Sequence, residues 1–173
     1  MSIHIIIDGY NLIRQSNSLS DLDRQDIQLG REALLDMLAA YQRIKHHKIT
    51  VVFDGTNAPP FSQHKNRVKG IKVRFSRSGE SADSVIKRMA SREREKALVV
   101  SSDLDIVNFA AAKGAATIRS PDFEEKIAMA VYMDIKGVER VDEGGWVPTT
   151  KKKGPSKRLS KRKRRNRIKI RKL

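Results

Sequence analysis

Ile3-His4-Ile5-Ile6-Ile7-Asp8-Gly9-Tyr10-Asn11 decides how this chain is read: a short run of isoleucines is cut off by a carboxylate and a glycine. A run that brief and apolar on both faces predicts a buried strand of a parallel sheet. The same texture returns at 49–53, 71–75, 97–100 and 116–118, with helical spacing in the gaps. Leu34, Leu35, Leu38 and Tyr41 make one stripe, and Ala82, Val85, Ile86, Met89 and Ala90 make another. A third helix is expected from about Asp103 to Lys113, ending at Gly114, and Ser120-Pro121-Asp122 opens a fourth. Strands alternating with helices predict an α/β fold of three layers, with helices on both faces of a mostly parallel sheet. Right-handed crossovers then put every strand-to-helix loop on one edge, where ligands of open α/β sheets bind.

Acids stand at that edge. Asp8, Asp54 and Asp103 each follow a strand, Glu80 and Asp83 straddle the start of the next helix, and Asp105 lies two residues past Asp103. Like charges gathered there repel and raise one another's pKa unless a multivalent cation neutralises them, so the pattern predicts a metal. With oxygen donors only, the ion is expected to be Mg²⁺ or Mn²⁺. Such an ion lowers the pKa of a bound water and stabilises the oxygens of an in-line phosphoryl displacement. Each acid also has a structural reading as a helix cap or turn residue. Asn11 and Ser102 are placed to hold substrate, and Tyr10 and Phe61 are either core residues or stacking platforms. A loop over 56–70 carrying Lys65 and Arg67 is expected to overhang the edge, and Arg77 and Arg88 to reach phosphate.

Charge divides the 173 residues. The net charge is +16, yet residues 151–173 hold 14 of the 36 Lys and Arg and no acid, which leaves 22 basic against 20 acidic groups before them. Gly and Pro around 144–155 read as a linker, dividing the chain into a domain over 1–143 and a basic tail over 156–173. A segment this cationic is expected to stay disordered until a polyanion meets it. Lys161, Arg162, Lys163, Arg164 and Arg165 are its densest run, and without aromatic rings it grips phosphate with little sequence preference. RNA, as mRNA or structured RNA including the ribosome, is the expected partner. With no cysteine, disulfide, thiolate–zinc and thiol chemistry are excluded. A cytoplasmic location, no membrane segment and no organic cofactor are expected, and nothing fixes the oligomeric state.

Asp8-Gly9-Tyr10-Asn11, Phe53-Asp54-Gly55, Glu80-Ser81-Ala82-Asp83 and Ser101-Ser102-Asp103-Leu104-Asp105 together resemble the NYN branch of the PIN-like nucleases, in particular its YacP-like members. The likeness spans roughly residues 1–135 and leaves the tail outside. It implies a PIN-like α/β/α fold and a metal-dependent endoribonuclease, with Asp8, Glu80, Asp83 and Asp103 at the acidic site. Asn11, Asp54 and Asp105 match positions beside it, Asp105 as a further ligand. RNA rather than DNA comes from this resemblance.

Other functions fit the residues less well. A phosphatase of the haloacid-dehalogenase type needs a second Asp two residues after the first, where Tyr10 stands. Neither glycine-rich nucleotide-binding signature follows any strand. A non-catalytic RNA-binding or ribosome-associated factor is the alternative, in which the tail carries the function and the nuclease domain is vestigial.

Overall fold

The computed structural model describes residues 3–58, 67–137 and 160–173. Strand β1 (His4–Asp8) leads into helices α1 (Gly9–Gln15), α2 (Asn17–Gln25) and α3 (Ile27–Lys45). Strands β2 (Lys48–Phe53), β3 (Arg67–Val68) and β4 (Ile71–Phe75) precede α4 (Ala82–Glu93). Then come β5 (Ala97–Val100), α5 (Leu104–Ala112), β6 (Ala116–Ile118), α6 (Ser120–Ile135) and α7 (Lys161–Arg171). The sheet runs β3-β4-β2-β1-β5-β6, and every pairing is parallel except β3 with β4. The expected three-layer α/β/α architecture is the one observed. The linker over 144–155 and the side chains of Phe61 and Lys65 lie outside the described residues.

Alternation along the strands splits the core in two. Ile5, Ile7, Val51, Phe53 and Val73 face α1, α3 and α6, while Ile6, Val52 and Val99 meet Val85, Ile86, Met89 and Ile106 from α4 and α5. The central strands are buried on both sides, which is why they read as unbroken apolar runs. At the foot of β1, the buried His4 places Nδ1 2.6 Å from Glu93 Oε2 and Nε2 2.8 Å from Thr50 Oγ1. No helix among the described residues is long and apolar enough to cross a membrane.

Two expectations are corrected. The first concerns the loop over 56–70: its end forms β3, turned back on β4 through Lys69 and Gly70, which both adopt positive φ. Arg67 therefore pairs with Lys72 near the start of β4, away from the acidic edge.

The second concerns the basic tail, whose 161–171 stretch is helix α7, capped by Ser160 and laid against β6. Asn166 pairs with the free side of that edge strand, its Oδ1 accepting from Thr117 N at 2.8 Å and its Nδ2 donating to Thr117 O at 3.2 Å. Leu173 is buried in the core beneath it, and its main-chain oxygen accepts from Tyr41 Oη at 3.1 Å. Only one face of a helix has to dock, so the charges of Lys161, Arg162, Lys163 and Arg164 stay in water.

Gly55 turns the chain out of β2, where a Cβ would lie 2.0 Å from the main-chain oxygen of Ser76. Backbone cannot yield as a flexible side chain can. Gly55→Ala is expected to cost about 1–3 kcal/mol, as overpacking does, read as a lowered melting temperature with the pH held constant.

Candidate active site

Strand order places the acids before any side chain is considered. β1 is central, so Asp8 at its C-terminal end sits between the ends of β2 and β5, next to the loops carrying Asp54 and Asp103. Asp8 is only 8% exposed. It caps α1, with Oδ1 accepting from Asn11 N at 3.3 Å, and Ser101 Oγ donates to its Oδ2 at 3.3 Å. Burial pushes its carboxyl up to about 6; the charges of Asp83 and Asp103 add to the rise, against the two hydrogen bonds.

The other acids are turned to separate tasks. Asp103 caps α5, accepting from Asp105 N at 2.7 Å and Ile106 N at 3.4 Å through Oδ1. Its own N–H donates to Ser101 Oγ at 3.1 Å, so one buried hydroxyl ties Asp103 to Asp8. Asp83 lies in the first turn of α4, half-buried, behind the Ser81 cap. Glu80 accepts from Arg88 Nη1 at 2.5 Å, and that bond holds its carboxyl below the ordinary value. Asp105 is ion-paired with Lys87, whose ammonium is held above its usual range first by that bond and further by Asp83 and Asp103. Asp54 accepts from Thr56 N at 3.0 Å and Thr56 Oγ1 at 2.5 Å, which lowers its carboxyl.

The expected gathering of six acids is thus reduced to Asp8 with Asp83 and Asp103 in its field. Helix caps and cationic partners have drawn the rest outward. Among the described residues no three acidic or histidine side chains stand close enough together to hold an ion by themselves. Magnesium does not require such a cage, because it keeps several waters and takes only one or two carboxylates directly. A carboxylate raised first by burial and further by two acidic neighbours is a site whose unfavourable charge a hard cation relieves. To that extent the donors fit.

Asn11 is fixed more firmly than its sequence context suggests. Its Oδ1 accepts from Ser102 N at 2.9 Å and from Ser120 Oγ at 2.7 Å, while Ser102 Oγ accepts from Ser120 N at 3.2 Å. With the carbonyl side held inward, the amide N–H groups are what Asn11 offers a ligand. Sequence marks Ser120 only as a helix opener, and nothing beside it signals a partner 109 residues away. Tyr10 is 8% exposed, its ring centroid 5.1 Å from that of Phe53, so it belongs to the core and cannot stack a base.

Beyond Asp54, a cleft of about 890 Å³ opens between the turn after β2 and the 76–81 segment, with Arg74, Arg77 and Glu80 in its walls. Arg88 lines the groove beside it. Arg165 of α7 is ion-paired with Glu95, before the start of β5 and so at the opposite end of the sheet from Asp8.

An α/β/α sheet with acids at the carboxyl ends of its central strands defines the PIN-like class. The profile of the YacP-like NYN domain matches residues 5–172, and the chain belongs to that family. The match takes in α7, so the helix lies within the family's domain and not outside it. Uncharacterized protein YacP of Bacillus subtilis (strain 168) is 28% identical over 86 residues, half of each chain. The crystal structure of Rae1 (YacP) from Bacillus subtilis superposes with a TM-score of 0.67 at 24% identity, covering 80% of both chains. That of a tryptophan-to-leucine mutant of the same Bacillus subtilis protein gives 0.63 at 23% identity, covering 78% of this chain and 79% of the mutant. At such identities the superpositions show the fold. Membership places the chain in the PIN-like nuclease superfamily.

Proposed function

We propose that this chain is a metal-dependent endoribonuclease that hydrolyses RNA phosphodiesters at the Asp8 edge. The observation that carries the reading is Asp8 itself: a buried carboxylate raised to about 6 with Asp83 and Asp103 beside it and no cation among the described side chains bonded to it. Asp8, Asp83 and Asp103 would hold a Mg²⁺ or Mn²⁺ ion together with water. When bound, that ion supplies an activated water and charge stabilisation for the departing oxygen. Ser101 keeps Asp8 and Asp103 in register, Asn11 presents N–H groups to a phosphate oxygen, and Arg77 and Arg88 stand where the neighbouring phosphates pass. Lys87, paired with Asp105, holds positive charge beside the same acids. Asp105 serves this reading as the anchor of Lys87 rather than as an obligatory ligand. The exposed cations of α7 would anchor structured RNA, the ribosome included, and the site of action would be the cytoplasm.

The experiment is cleavage of labelled RNA with Mg²⁺ or Mn²⁺ and with EDTA, for the wild type and for Asp83→Asn and Asp103→Asn. Loss of cleavage on chelation, and a loss of about 10²–10⁴-fold in each variant with RNA still bound, is expected. Full cleavage in EDTA would sink the metal mechanism. Binding with no cleavage under any metal would make the chain an RNA-binding factor instead.

A further inference from the structure

On the α4 side of the sheet, the register sets His4 beside Lys48, Ile6 beside Thr50 and Lys72, and Asp8 beside Val52 and Arg74. Arg67 of β3 lies opposite Lys72 on that same side. Helix α4 packs on β1, β2 and β5, with Ile86 and Met89 over Ile6 and Val52. Outward from there the strand face is cationic, and Lys72 and Arg74 are half-buried rather than buried. A groove of about 500 Å³ runs between that face and α4, with Arg74 and Arg77 on one wall and Val85 and Arg88 on the other. At the foot of β4, Lys48, Arg67 and Lys72 line a further hollow of about 370 Å³. The acids close by are already engaged: Glu80 with Arg88, and Glu93 with His4 and Arg92.

We propose that this face of β4 and the flank of α4 form a track for the phosphates of single-stranded RNA, leading from the Asp8 edge down the sheet through Arg77, Arg74 and Lys72. The inference rests on the ribonuclease reading for its substrate, not for its geometry. Arg74 and Lys72 lie on one side of a strand and are spaced by two residues of rise, about 6.6 Å. That spacing is near the reach of one nucleotide in an extended backbone, and a groove walled by a helix suits one strand better than a broad duplex. Burial, and then the positive charges of Arg74, Lys48, Arg67 and Arg92, push the Lys72 ammonium below its usual value. Such a cluster is relieved by a line of anions. The one aromatic ring in its described lining, Phe75, is half-buried and stacked on Phe53 with centroids 5.6 Å apart, so the track would hold phosphate with little reading of bases.

The test is titration, in EDTA to prevent cleavage, of a labelled oligouridine of about a dozen nucleotides and of a duplex of equal length. The proteins are the wild type, Lys72→Gln/Arg74→Gln, the charge-preserving swap Lys72→Arg/Arg74→Lys, and the control Lys113→Gln/Lys126→Gln. Losing two contacts should weaken oligouridine binding on the order of tenfold. The slope of log K against log salt should flatten by about 1.4, the value expected for two phosphates of a single strand. The swap should restore binding, and the control should match the wild type. Unchanged oligouridine affinity and slope in a folded Lys72→Gln/Arg74→Gln variant would overturn the track whatever the protein cleaves. An equal loss on the duplex would overturn its preference for a single strand. If no RNA is cleaved with metal yet the double variant loses oligouridine binding, the ribonuclease reading fails and the track stands.

Discussion

Asp8→Asn is expected to destroy cleavage, by about 10³-fold or more, and at the same time to make the metal-free protein more stable at pH 7.5. A carboxyl raised from 3.8 to about 6 on folding contributes stability that is complete below 3.8 and lost as the pH rises through 6. Above that, the folded chain carries a buried charge it would rather not hold, corresponding to roughly 3 kcal/mol. The amide keeps its oxygen for Asn11 N, turns its NH2 toward Ser101 Oγ, which then accepts instead of donating, and removes the charge facing Asp83 and Asp103. In EDTA at pH 7.5 the variant should therefore melt higher by several degrees, about 2–4 °C for each kcal/mol. Near pH 4 the two proteins should converge, because wild-type Asp8 is then protonated. His4 works in the opposite sense. Burial keeps its imidazole below 6.5, so its stability is present above 6.5 and fades as the pH falls; since it is common to both proteins, it cancels in the difference. Mg²⁺ should raise the wild-type melting temperature and leave the variant unmoved, by the linkage that makes any ligand of the native state stabilising. An Asp8→Asn protein that melts lower than wild type at pH 7.5 in EDTA would show that the carboxylate is held by favourable contacts and is not strained toward a cation.

What sequence could show follows from how far apart the partners lie along the chain. The central parallel strands were legible because burial on both faces leaves a short Ile/Val-rich run, β4 through the alternation of Ile71, Val73 and Phe75 with Lys72 and Arg74, and each of the five parallel strands lies within a residue of its expected place. Strand β3 was not, since two residues, Arg67 and Val68, carry no periodicity. Asp8 at the edge followed from topology alone. The distribution of the other acids did not, because an acid at a helix start satisfies a cap and a metal equally well in sequence. Only the folded chain shows Asp103 turning Oδ1 to α5 and Glu80 reaching Arg88. Composition misled most at the C-terminal segment. Averaged over its length it is too charged to fold, yet Asn166, Ile170 and Leu173 suffice to dock one side of it.

That docking changes what removing the segment would mean. Leu173→Ala should cost about 2–4 kcal/mol, because the side chain is 3% exposed within the core cluster that also contains Tyr41 and Phe123. At about 2–4 °C per kcal/mol, the melting temperature should fall by roughly 5–15 °C. Deleting 160–173 should do more: it uncovers the edge of β6 by taking Asn166 from Thr117, and it removes Lys169 from the carbonyl oxygens of Glu95 and Ala97. A freed sheet edge invites pairing between chains, so the shortened protein should aggregate on warming. A loss of RNA binding in that deletion would then report a damaged fold as much as a missing cation. Arg162→Gln/Lys163→Gln/Arg164→Gln separates the two, since these side chains are exposed and the docked face of α7 is untouched. It should keep the wild-type melting temperature while its salt dependence of RNA binding flattens by about 2–3, three phosphate contacts' worth. If instead the triple variant binds as the wild type does and only Leu173→Ala and the deletion weaken binding, α7 is a structural clamp on the sheet edge and its charge serves no RNA.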